Sequence, residues 1–381
     1  MYYIIIVKKL ESILDKIAAE GSLDEQAVAD AKARQEVLAK PTGALGTLED
    51  ITIQLAGITG QVKNHVKKQA VVIMSADNGV VEEGVASAPQ SVTLSQTINF
   101  TRRLTGVSSM AKYFDIDILV VDTGVKMEIP SQLYTDTMTE DGKLSRLIVN
   151  RRIADGTKNL AREDAMTRDE ALTALLTGFD AAAAVKECGY DIFGIGEMGI
   201  GNTTTSACVL ASFLDLKGED VVGRGGGLND EGMKKKVSIV DAAVEKAKDC
   251  DVIDILAKVG GFDICAMVGA FLGAAYYRIP VVIDGYISAV AALASFKLAP
   301  NVKNFMFGSH VSKEKGYNIA MDALGVKPYF NLGMRLGEGS GCPISFMIIE
   351  TACATMTGMA TFAEGAIDAD YLQEAKKGSF F

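Results

Sequence analysis

The segment GIGEMGIGNTTTS (194–206) sets Gly194, Gly196, Gly199 and Gly201 ahead of Asn202 and three consecutive threonines. One apolar run enters it and a second, ACVLASFL (207–214), leaves it. A strand, a glycine turn and a helix start in that order can hold a phosphate. Glycine lets the backbone approach the anion, and the first helical turn offers unpaired N–H groups at the positive end of its dipole. Asn202 and Thr203 add side-chain donors. The same glycines match GxGxxG, which keeps an NAD-dependent oxidoreductase as an alternative, although the match alone is weak. Glu197 opposes it, because its carboxylate would stand where a pyrophosphate should lie.

A second group is Glu338, set between Gly337 and Gly339 with Gly341 beyond. A carboxylate in a glycine loop is commonly a solvated surface group. The apolar residues at 332–336 offer the other reading, a partly dry wall that raises its pKa and makes it a usable base. A further glycine loop, GRGGG (223–227), precedes Lys234, Lys235 and Lys236. It reads either as a turn before a solvated helix or as a ligand contact, and a neighbouring anion cradle favours contact. The run ILVVDTGV (118–125) has one acid, Asp122, where a phosphoribosyl-pyrophosphate loop carries two. Pyrophosphate and its magnesium are therefore not expected as the donor chemistry.

Short apolar runs at 70–77, 116–124, 190–196, 279–285 and 304–310 each end in Gly, Asp or Ser or a neighbouring polar residue. Runs of that length fit parallel strands buried on both faces. Helical stretches separate them, such as 167–188, with a capping box at Thr167/Glu170 and a stop at Gly189. The pattern predicts an α/β fold, a doubly wound, mainly parallel Rossmann-like sheet. Ligands in such sheets bind at the carboxyl ends of the strands. Ser22 and Glu25 predict a capped helix through AVADAKARQEVLAK (27–40), and a second helix is expected at about 48–58. A long helix at 343–363 is expected to join them. The predicted domains are 1–64 and 343–381, together a small helical domain, and 65–342, the substrate-binding domain.

With 49% hydrophobic and 23% charged residues, the 381-residue chain has the balance of a globular protein with a large core. Its net charge of -10 argues against nucleic-acid or anionic-membrane partners. Six cysteines without a CxxC and only two histidines fit neither a disulfide frame nor a zinc site, and argue against a metal site built on histidine clusters. The longest apolar stretch, 264–277, is shorter than the roughly 20 residues of a membrane span. The start, MYYIIIVKKL, lacks an export pattern, and a cytoplasmic protein is expected.

Eight segments in order carry a resemblance: SADNGVVEEGV (75–85), PQSVT (89–93), GEMGIGNTTTSA (196–207), VGRGGGL (222–228), VGGFDI (259–264), VVIDGYISAVAAL (281–293), GSHVS (308–312) and LGMRLGEGSG (332–341). From about residue 36 to 366 the chain resembles the nicotinate-nucleotide–dimethylbenzimidazole phosphoribosyltransferases of cobamide (cobalamin) biosynthesis. The resemblance implies a homodimer that needs no cofactor. It also implies transfer of ribose 5-phosphate from nicotinate mononucleotide to a benzimidazole-type base, with inversion, giving α-ribazole 5′-phosphate and nicotinate. Glu338 is then the catalytic base. Gly199, Gly201, Asn202, Thr203, Gly225, Gly226, Lys236 and Ser312 match phosphate and ribose positions. Ala86, Ala88, Gln96, Met198 and Leu336 should line the acceptor pocket, and Glu197 and Asp284 are secondary candidates. One departure concerns the acceptor. The family often reads Gly-Val-Ser-Ala, then an aromatic or small residue and Pro, whereas this chain reads GVASAP (84–89). Ala88 leaves space there, and a subunit of a paired transferase for phenolic acceptors stays open as an alternative.

Overall fold

The computed structural model describes residues 2–224 and 227–368. Its strands are β1 (Gln69–Ala76), β2 (Asp117–Gly124), β3 (Tyr134–Thr135), β4 (Thr139–Glu140), β5 (Lys143–Leu144), β6 (Ile148–Asn150), β7 (Ile192–Met198), β8 (Val281–Ile283) and β9 (Met306–Gly308). Seven form one sheet in the order β3-β6-β2-β1-β7-β8-β9, parallel at every pairing, while β4 and β5 form a separate antiparallel pair. All eight residues of β1 are buried, which is why its sequence runs apolar from Ala70 to Met74 instead of alternating. From β1 the chain builds β2 on one side and returns to place β7 on the other. The carboxyl ends of β1 and β7 thus flank a switch point, where open α/β sheets form their ligand crevice.

The helix Phe262–Tyr277 is buried along nearly its whole length and packs on Arg168–Glu187. A Cβ on Gly178 would stand 1.7 Å from the Ala266 oxygen, and one on Gly269 1.7 Å from the Leu175 oxygen. Glycine at both positions is what lets the two backbones meet. The capping box at Thr167/Glu170 is present, and Gly189 follows the helix at φ 69°. Among the described residues no helix is long and apolar enough to cross a membrane.

The chain divides into two units, Met1–Gly21 with Lys68–Ser345, and Ser22–Lys67 with Phe346–Phe381. The second is helical. Ala27, Ala31, Leu38, Ala56 and Met356 form its core, and the buried Gln35 donates to Thr52 Oγ1 at 2.9 Å.

Three expectations are corrected. The helix Tyr2–Glu20 belongs to the sheet unit and not to the small helical one: it buries Ile6, Leu10, Ile13 and Ile17, and Asn304 donates to the Gly21 carbonyl at 2.9 Å. The next helix, Glu25–Val37, starts after Asp24, whose side chain accepts from the Ala27 N–H, so its N-cap is Asp24 and not Ser22. The strands β3 to β6 add to the expected set, being two or three residues long and too short to show a period in the sequence.

Candidate active site

At the carboxyl ends of β1, β7 and β8 lies a cavity of about 360 Å³. One wall is the segment after β7. Gly201 takes φ 96° as the cap of the helix Asn202–Leu214, with no side chain capping the helix start. In its first turn the Asn202 N–H donates to the Gly199 carbonyl at 3.0 Å and the Thr204 N–H to the Gly201 carbonyl at 2.9 Å, so Thr203, which lines the cavity, carries the N–H that this end of the helix offers there. Lys236, 1% exposed, extends from the helix Asp230–Lys246 and donates to Thr203 Oγ1 at 2.8 Å. Burial pushes its ammonium down to about 8, and Glu314 nearby partly offsets this. Ser312 and Arg224 line the same end. A buried ammonium, a hydroxyl and an open helix start together make a cationic cradle suited to a phosphate dianion.

Gly194 and Gly196 lie within β7 and not in a turn. A Cβ on Gly196 would come 2.3 Å from the Glu338 carbonyl oxygen. That glycine makes room for the Glu338 loop, not for a pyrophosphate, which removes the structural basis of the dinucleotide reading.

Glu338 itself is 5% exposed and sits at φ 64° between Gly337 at 81° and Gly339 at 86°. Three successive left-handed residues fold the loop back on itself, a strained arrangement that a glutamate adopts only when its surroundings hold it. Its Oε2 accepts the Val107 N–H at 3.1 Å, at the start of the helix Gly106–Tyr113, and its Oε1 accepts from Gln96 Nε2 at 3.3 Å. Burial raises its pKa above the ordinary glutamate value, while the Val107 N–H, Thr105 and the Gly106 N–H pull it back. A carboxylate so placed is a stronger base than a solvated one and can serve as a proton acceptor.

Glu197 and Asp263 share the side-chain amide of Asn202, which donates to Glu197 Oε2 and, at 3.1 Å, to Asp263 Oδ2. Burial pushes both carboxyls up to about 7. Asp284 follows β8 and accepts the N–H groups of Gly339 at 3.0 Å and Gly341 at 2.6 Å.

The chain matches a family model described as Phosphoribosyltransferase over residues 21–367. It is 52% identical over 356 residues to the nicotinate-nucleotide–dimethylbenzimidazole phosphoribosyltransferase of Clostridium perfringens, covering 93% of this chain and 95% of that one. The chain belongs to this family of phosphoribosyltransferases. The Clostridium tetani relative of the same name is 45% identical, covering 98% and 99% of the two chains. The crystal structure of the Thermus thermophilus phosphoribosyltransferase superposes with a TM-score of 0.83 at 34% identity, over 91% of this chain and 99% of that one.

This phosphoribosyltransferase gathers most of its sequence-predicted site residues around one cavity. Gly199, Gly201, Asn202, Thr203, Lys236, Ser312, Ala86, Ala88, Gln96, Met198, Leu336, Glu197 and Glu338 all line it. Asp284 does not line it and stands behind the Glu338 loop. Gly225 and Gly226 lie outside the described residues. The lining also includes Val92, Ile200, Ile287, Arg335 and Glu314, which the sequence reading did not single out. Val92 and Ile287 fall inside segments quoted for the resemblance, but an apolar residue on a helix carries no signal of facing a ligand.

Proposed function

We propose that the protein transfers ribose 5-phosphate from nicotinate mononucleotide to 5,6-dimethylbenzimidazole or a related base, releasing nicotinate and α-ribazole 5′-phosphate for cobamide biosynthesis. The observation that carries this reading is the buried Glu338 carboxylate, set on the same cavity as the Lys236–Thr203 cradle. The names of the relatives agree with it.

The donor is a pyridinium. When its bond to the ribose carbon breaks, the electron pair neutralises the ring nitrogen, so the leaving group needs no acid. What the protein must supply is position and a base. Lys236, Ser312 and Thr203, with the glycine turn at 199–201 leaving room for close approach, hold the phosphate and ribose. Ala86, Ala88, Met198 and Leu336 hold the flat acceptor, and Gln96 orients it. One acceptor nitrogen attacks the ribose carbon while Glu338 takes the proton from the other. Gln96 and Val107 donate to Glu338, which keeps the carboxylate ionised and aimed.

We take the working form to be a homodimer, as the family resemblance implies, and to reside in the cytoplasm. Incubation with nicotinate mononucleotide and a panel of benzimidazoles, purines and phenols, with products identified by mass, tests the reaction. A ribosyl-phosphate product from a benzimidazole supports it. No such product from any base would overturn it, and a product from phenols alone would favour the paired-transferase reading.

A further inference from the structure

The Glu338 loop rests on the carboxyl ends of two neighbouring strands. Glu197, on β7, accepts the Glu338 N–H at 3.2 Å. Asp284, directly after β8, takes the next two donors that point inward, Gly339 on Oδ2 and Gly341 on Oδ1. Consecutive backbone N–H groups in left-handed turns form a concave nest that binds an anion. Here the anion comes from the protein's own side chains. Asp284 is itself fixed on both sides: its N–H donates to Ser288 Oγ at 3.2 Å, and Ser309 Oγ donates to its carbonyl at 2.8 Å. It is 2% exposed and is not among the residues that line the cavity.

We propose that Asp284 is a positioning residue for the transfer, acting on Glu338 from outside the cavity by seating the two backbone N–H groups that follow it. The inference rests on the reading of Glu338 as the base. Three left-handed residues in a row are held only as long as the inward N–H groups find acceptors. With one acceptor lost, the loop relaxes and the Glu338 carboxylate leaves its place beside Gln96 and Val107. The phosphate contacts, on other loops, stay as they are. A burial cost that pushes the Asp284 carboxyl up to about 7 is borne at a position where a neutral residue could fill the same volume. The carboxylate has two acceptors in a fixed fork, which a single amide oxygen does not reproduce.

Asp284→Asn keeps the size and one acceptor but turns an NH2 toward the other backbone N–H. We expect kcat to fall about 10- to 100-fold, as small misplacements of a catalytic group do, with the KM for nicotinate mononucleotide within about threefold of the parent. The deciding measurement is the double variant with Glu338→Gln. If Asp284 works through Glu338, adding Asp284→Asn to Glu338→Gln should slow the enzyme by no more than about twofold further, because the effect has no base left to act through. Losses that multiply, or an unchanged kcat in the single variant, overturn the proposal. Asp284→Ser, which keeps one small acceptor, is made in parallel, and far-UV circular dichroism checks each protein. If neither variant folds, Asp284 belongs to the fold and the proposal fails. A parent with no transfer at all would instead sink the proposed reaction, and this inference with it.

Discussion

Glu197 Oε1 accepts the backbone N–H of Glu338 at 3.2 Å, while its Oε2 accepts from Asn202 at the start of the cradle helix. One buried carboxylate therefore ties the Glu338 loop to the helix Asn202–Leu214 of the proposed phosphate cradle. Both of its partners are donors. Replacing it by Gln puts an NH2 against one of them, and a buried donor left unpaired costs about 1–3 kcal/mol. Glu197→Gln should lower kcat and raise the KM for nicotinate mononucleotide together, whereas Asp284→Asn should move kcat alone. Steady-state kinetics on the two variants side by side would show the contrast, and a Glu197→Gln enzyme with a parental KM would contradict it.

Lys236 is held down to about 8 by burial. A phosphate dianion beside its Nζ would favour the ammonium and raise that value. At pH 8.5, binding of nicotinate mononucleotide should therefore take up a proton, and affinity should fall as pH rises further. Calorimetry in buffers of different ionisation enthalpy reads the proton directly. Lys236→Met should lose the uptake, and a parent that binds with no proton exchange at that pH would place the phosphate elsewhere.

Burial pushes Glu197, Asp263 and Asp284 up to about 7. In the unfolded chain such groups titrate near 4. The folded state thus binds their protons more tightly, and the stability this gives is present at about pH 4 and lost as pH rises through 7. His310, pushed down to about 4 by burial, works the other way between there and about 6.5, a single group against several carboxyls. The ligand-free protein should melt at a lower temperature at pH 7.5 than at pH 5.5. Asp263→Asn removes one of the three titrating groups and should flatten that slope. Scanning calorimetry across the range is the check, and a melting temperature that rises with pH would refute it.

Ala86 and Ala88 line the cavity beside Met198 and Leu336, and Leu336 is 58% exposed. Ala88→Tyr would fill part of the space proposed for the acceptor. Preference between a small base and dimethylbenzimidazole should shift by a few-fold to about 100-fold, the range that a modest change in apolar pocket volume supplies. Competition assays with paired bases measure the ratio. An unchanged ranking would move the acceptor to another part of the cavity.

The sheet was legible because each long strand is buried on both faces and writes itself as a short continuous apolar run, as in AVVIM (70–74) of β1. The cradle was legible because its chemistry is local: strand, glycines and helix start lie within one stretch of sequence. Asp284 was legible only as a strand end. Its partners Gly339 and Gly341 stand 55 and 57 residues away, and no local pattern announces a contact of that range. Gly196 misled for a related reason. Its missing side chain admits the backbone of a loop that is distant in sequence, and the same absence imitates a nucleotide fingerprint.

Glu338 gives the sharpest test. Attack by one nitrogen of the acceptor leaves the heterocycle positive until its other N–H proton departs, and a carboxylate there both removes the proton and stabilises the charge meanwhile. Glu338→Gln keeps the size and can still accept from the Val107 N–H, but it cannot take a proton. The rate should fall by roughly 10²–10⁴, with the affinity for nicotinate mononucleotide barely changed, because Lys236 and the cradle helix are untouched. The pH profile carries the second half of the argument. Burial holds the Glu338 pKa above the ordinary glutamate value, so the parent should lose activity as pH falls through that raised value, the base becoming protonated. The Gln variant has no such group and should lose that acid limb. A Gln variant that turns over near the parental rate, with the same acid limb, would remove Glu338 from the chemistry and make Glu197, a cavity-lining carboxylate that accepts the Glu338 N–H, the next group to test as the base.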